Sequence, residues 1–120
     1  MNAFLHLIVV ALVIFAIDIP WLLLVSNWSS SMVQRIQRGI PMTFLWWPAI
    51  PVYLAIAYLM IEVTTDKNAF FVGAATYAIY DFTNLATLGK YELPFAVADT
   101  LWGGTLFWIC RKVLKHLKLL

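Results

Sequence analysis

The chain has 120 residues, 63% of them hydrophobic and 12% charged, with a mean hydropathy of +0.86. Soluble domains average about half apolar and about a quarter charged, and a soluble fold this small has too little interior to hide the excess, so composition predicts an integral membrane protein. A formal net charge of +2 from eight basic and six acidic residues argues against nucleic-acid binding, and the single cysteine excludes an intramolecular disulfide framework.

Four long apolar runs follow in chain order, at residues 3–25, 43–61, 69–88 and 94–110. Each holds ~17–23 residues, enough to cross ~30 Å of hydrocarbon at 1.5 Å per residue. The first carries one ionisable group in its second half, Asp18, followed by Pro20. It has no basic leader and no small-residue cleavage site, so it reads as a retained span, not a signal peptide. After it, "SMVQRIQRGI" spaces Met32, Val33, Ile36 and Ile40 as one helical face, which predicts a short amphipathic helix on the headgroups. The second run opens with Trp46, Trp47 and Pro48, and the basic "RKVLKHLKLL" after the fourth reads as a topology anchor. The connections, 26–42, 62–68 and 89–93, are short. The expected fold is therefore all-α, a single-domain four-helix up-down transmembrane bundle over residues 1–120.

Lysine and arginine set the orientation. Lys67, Arg111, Lys112, Lys115 and Lys118 fall on the side of the termini, against Arg35, Arg38 and Lys90 on the other. The termini are therefore expected on the cytoplasmic or inner side of a multi-pass protein.

The polar residues inside the runs carry the functional argument. Asp18, Asp81 and Asp99 each lie ~8–10 Å below the outer boundary on this topology, so three helices place a carboxylate in one layer. On the third run Gly73, Tyr77, Asp81, Asn84 and Thr87 recur every three or four residues along one face, flanked by Tyr80 and Thr83. Asp18 and Trp21, and likewise Asp99 and Trp102, repeat one Asp-x-x-Trp pattern in the two terminal runs. A charge at membrane depth costs at least ~2.5–3.5 kcal/mol and normally faces a bundle interior or a cavity. No lysine or arginine lies within the runs to pair with these three. Hydrogen-bonding glue between helices would need only neutral side chains. The layer is therefore expected to form a ligand site of Asp18, Trp21, Tyr80, Asp81, Thr83, Asn84, Asp99 and Trp102, with Trp47 as a further wall.

Other features carry less. His6 reads as a packing or interfacial histidine, and Cys110, beside Arg111, reads as a buried thiol before a palmitoylation site. "NWS" at Asn27 fits a glycosylation pattern but adjoins the membrane too closely for modification. Gly73, Gly103 and Gly104 are expected to permit close helix approach.

Asp18-x-x-Trp21, Tyr80-Asp81-x-Thr83-Asn84-Leu85-Ala86-Thr87 and Asp99-x-x-Trp102-Gly103 resemble the signature of a family of small four-span membrane proteins, domain-of-unknown-function family 2177. The resemblance covers most of the chain and implies the same fold, but supplies no activity. The functional expectation is an outer-side intramembrane carboxylate pocket that binds a cation, a proton or a small polar or lipid ligand. A structural or accessory subunit of a larger membrane assembly is the alternative. Expected partners are the bilayer, a polar small molecule or cation, and a homo-oligomer or larger complex. No motif identifies a cofactor, a metal site or a reaction.

Overall fold

A computed structural model describes residues 1–120. The chain folds into four helices and no strands: α1 (Ala3–Ile36), α2 (Ala49–Glu62), α3 (Asp66–Thr87) and α4 (Leu93–His116).

Helix α1 starts where the Asn2 side chain accepts the Leu5 amide at 2.7 Å, satisfying one of the orphan donors of the first turn. It runs for 34 residues, about 51 Å, well past the expected boundary at residue 25. The stretch 31–40 is thus mainly the end of α1 and not a separate interfacial helix. The serine-rich segment does not interrupt the helix because Ser26, Ser29 and Ser30 return their hydroxyls to carbonyls three residues back, at 2.9, 3.3 and 3.3 Å. Termination comes at a Schellman turn, in which the Gly39 amide reaches the Gln34 carbonyl at 2.8 Å and Arg38 takes a left-handed φ of 57°.

Helix α2 begins at Ala49, six residues later than residue 43. Pro48 explains the delay, since a proline disfavours helical geometry in the residue before it but suits a helix start. At 14 residues α2 is about 21 Å long. Helix α3 opens three residues earlier than expected, capped by the Thr65 hydroxyl on the Asn68 amide at 3.1 Å, with Asp66 complementing the dipole. Helix α4 carries Pro94 in its first turn and continues through Arg111–Lys115, so most of the basic tail belongs to this helix.

α3 and α4 form the closest pair, and α1 packs against both α2 and α4, whereas α2 and α3 are not a close pair despite their three-residue connection. Glycine makes the α3–α4 contact close. A Cβ on Gly73 would lie 2.2 Å from the Gly103 carbonyl oxygen, and one on Gly103 would lie 2.4 Å from the Tyr77 ring. Val10, Ile14, Ala57, Met60, Leu106 and Phe107, all fully buried, centre the shared core.

Ion pairs close both ends of the helix array. At one end Asp66 takes Arg111 Nε and Lys112 Nζ, each at 3.0 Å, while Arg111 also donates to the Val63 and Thr64 carbonyls at 2.9 and 2.8 Å. The Lys112 ammonium beside Asp66 holds that carboxyl below its usual range. At the other end Glu92 bridges Arg35 and the Trp28 indole, joining α1 to the start of α4.

The exterior is apolar, with Leu23, Leu24 and Ile79 each more than 70% exposed. Helices α1 and α4 are long and apolar enough to cross a membrane. α2 is apolar but shorter, and α3 carries the polar stripe.

Candidate functional site

Residues three apart on a helix are offset by less than one turn, so each Asp-x-x-Trp places an acceptor and a donor on one face, ~4.5 Å apart along the axis. Helices α1 and α4 bring these faces together in antiparallel register. Trp102 Nε1 donates to Asp18 Oδ1 at 2.7 Å, and Trp21 Nε1 donates to Asp99 Oδ1 at 2.9 Å. The two indoles stack between these bonds, with centroids 5.4 Å apart and planes 13° from parallel. The repeated sequence pattern is therefore a reciprocal contact, in which each helix supplies the donor its partner's carboxylate requires.

Tyrosines take most of the remaining carboxylate oxygens. Tyr53 Oη donates to Asp18 Oδ2 at 2.5 Å, Tyr80 Oη to Asp99 Oδ2 at 3.3 Å, and Tyr91 Oη to Asp81 Oδ1 at 2.7 Å. The Asp81 and Asp99 carboxyls are near enough for each to feel the other's charge. Asp81 Oδ2 is buried without a partner, as is Thr100 Oγ1. The three aspartates are only 3%, 1% and 8% exposed in chain order, and none forms an ion pair. Tyr91 lies in the α3–α4 connection, where burial first and the bond to Asp81 second hold its phenol above its ordinary pKa. It therefore remains a hydrogen-bond donor through neutral pH.

A cavity of about 530 Å³ lies among all four helices. Asp18 and Asp99 provide its charge, and Ser29 is the other polar lining residue. Trp21, Tyr53, Tyr77, Tyr80 and Phe95 give it aromatic walls, completed by aliphatic side chains of α1 and α2. Such a space can receive a positive group at its carboxylate end and apolar substance along its walls. Aromatic faces attract cations through their quadrupoles. No three His, Cys, Asp or Glu side chains meet in a metal-holding group.

Of the residues singled out in the sequence, Asp18, Trp21, Tyr80, Asp81, Asp99 and Trp102 converge. Asn84, half-buried one turn beyond Asp81, makes no hydrogen bond to the carboxylates. Thr83 does not join: it is exposed, and its hydroxyl returns to the Ile79 carbonyl at 2.5 Å. Trp47 also stands apart, 58% exposed ahead of α2, because the late helix start leaves it outside the helix array. Tyr91 had no signal, since it lies in a connection and reaches back ten residues to Asp81. Tyr53 is the hydroxyl-bearing residue of the otherwise apolar α2 segment between Val52 and Ala57, a cue that marks its face only once Asp18 is known to need a second donor. His6 Nε2 meets the Leu119 carbonyl at 2.5 Å, and Cys110 is fully buried, which leaves its thiol inaccessible to acylation.

Fold and site together define an all-helical protein organised around buried carboxylates. The family described as "Predicted membrane protein (DUF2177)" matches residues 3–113, and the chain belongs to it. No curated protein and no solved structure matches the chain.

Proposed function

We propose that this is a four-span integral membrane protein whose inter-helix cavity binds a small, positively charged ligand, its cationic group against Asp18 and Asp99. The observation that carries this reading is the meeting of buried carboxylates from three helices beside an aromatic cavity, with no basic side chain to neutralise them. Neutral donors fix the carboxylates in place but cancel no charge. Each carboxylate oxygen offers two acceptor sites, so Asp18 and Asp99 retain capacity for a ligand. An ammonium group, alone or in a lipid headgroup, fits the aromatic walls. The exposed apolar flanks and the excess of basic residues beside the termini support four crossings with both termini on the cytoplasmic side.

Butylammonium and its neutral counterpart butanol provide the test, added to purified protein in neutral detergent. Butylammonium is expected to raise the unfolding temperature and butanol to leave it unchanged. Asp99→Asn, which retains shape and an acceptor for Trp21, is expected to weaken butylammonium binding by about tenfold or more while the variant stays helical. Equal effects of the two probes, or equal binding by wild type and by folded Asp18→Asn and Asp99→Asn proteins, would overturn the proposal.

The accessory-subunit reading draws on a different feature. A groove of about 440 Å³ between α1 and α2, lined by Phe4, Ile8, Leu12, Phe15, Ile50 and their apolar neighbours, offers a seat to another membrane helix.

A further inference from the structure

Beyond the carboxylate cavity, the end of the molecule formed by the C-terminus of α1 and the α3–α4 turn holds a pocket of opposite character. Its volume is about 390 Å³, and its lining is Ser31, Gln34, Arg35, Arg38, Gly39 and Lys90, with no hydrophobic residue. We propose that this pocket binds a phosphate group, held by Arg38 and Lys90 with support from Arg35.

The three cations come from two segments distant in sequence. The last turns of α1 supply Arg35, the Schellman turn supplies Arg38, and the α3–α4 turn supplies Lys90. Glu92 engages Arg35, but neither Arg38 nor Lys90 belongs to any ion pair, which leaves a formal excess of two positive charges around the pocket. A helix C-terminus favours nearby cations, and that accounts for Arg35 and Arg38. Lys90, three residues beyond the last residue of α3, is favoured by that helix's C-terminus in the same way, so two helix ends gather three cations around one pocket.

The donor chemistry suits phosphate. A guanidinium presents paired N–H groups that match two phosphate oxygens, and the lysine adds a point charge. The Ser31 hydroxyl makes no hydrogen bond within the protein and adds a neutral donor, while Gln34 is held in place by its bond to the Gly39 carbonyl at 3.2 Å. The phosphate could be free or part of a lipid headgroup.

Arg38→Gln/Lys90→Gln is the test variant, since it spares the Arg35–Glu92 pair, with Lys115→Gln/Lys118→Gln as a charge-matched control at the opposite end. In one arm inorganic phosphate is titrated into detergent-solubilised protein and followed by phosphorus NMR. In the other, native mass spectrometry counts phosphatidylglycerol retained from mixed phosphatidylglycerol–phosphatidylcholine vesicles. The test variant is expected to lose about fivefold or more in affinity in at least one arm, with the control unchanged there. A loss in the first arm identifies a free phosphate ligand, and a loss confined to the second identifies a lipid phosphodiester. Absence of binding in both arms, or equal losses in the two variants, would overturn the proposal. Folding is checked by circular dichroism, and if the double variant fails that check the single Lys90→Gln change decides in its place.

Discussion

A tryptophan beside a buried carboxylate has two separable contributions, its ring and its N–H. Trp102→Phe isolates the second, because an aromatic ring remains to pack on Trp21 while Asp18 Oδ1 loses its 2.7 Å donor. An acceptor left unpaired in a buried site costs about 1–3 kcal/mol. The variant is therefore expected to unfold earlier in a denaturant series in detergent than the wild type, and Trp21→Phe to behave alike through Asp99 Oδ1. Midpoints identical to wild type would show that the indole N–H groups contribute nothing to holding the carboxylates. The burial of Asp18, Asp81 and Asp99 was legible in the sequence because an ionisable group in an apolar run normally faces the interior of the helix array. Their donors were only partly legible: Trp21 and Trp102 each share a helical face with the neighbouring aspartate, but each donates to the aspartate across the interface.

At the scale of helices, the glycine contacts were legible in kind but not in pairing. Gly73 and Gly103 could each be read as small residues on a helix face, whereas their meeting backbone to backbone required coordinates. The consequence is an asymmetry among glycines. Gly73→Ala would put a methyl 2.2 Å from a backbone oxygen, which cannot swing aside as a side-chain end could. Gly89→Ala meets nothing within 4 Å. Overpacking of a tight contact typically costs about 1–3 kcal/mol, so Gly73→Ala is expected to lower the thermal midpoint followed by circular dichroism and Gly89→Ala to leave it in place. A similar response from both would mean that α3 and α4 are not pressed together at this point. Helix ends were the least legible feature. The serines after Val25 read as a loop by composition, yet their hydroxyls turn back onto their own helix, and Pro48 moved the start of α2 behind two tryptophans that hydropathy had included.

For the whole molecule, the proposal of four crossings sets which loops share a side of the bilayer. Hydropathy and length favour α1 and α4, while α2, at about 21 Å, falls short of a ~30 Å hydrocarbon layer. If only α1 and α4 crossed, α2 and α3 would both lie on the side of Gln37, and the turn between them would too. The clasp of Asp66 by Arg111 and Lys112 argues otherwise, because it ties that turn to the C-terminal end of α4. With four crossings, Lys67 shares a side with Lys118, and Gln37 shares one with Lys90. Single cysteines at these four exposed positions, in a Cys110→Ala background, can be probed in intact cells with a membrane-impermeant maleimide. Gln37→Cys and Lys90→Cys are expected to react from outside, and Lys67→Cys and Lys118→Cys only after the membrane is permeabilised. Lys67 decides the count, since two crossings would make it react together with Gln37. With four crossings, the short α2 is matched by local thinning of the bilayer, with Trp46 and Trp47 at the interface where tryptophan is enriched.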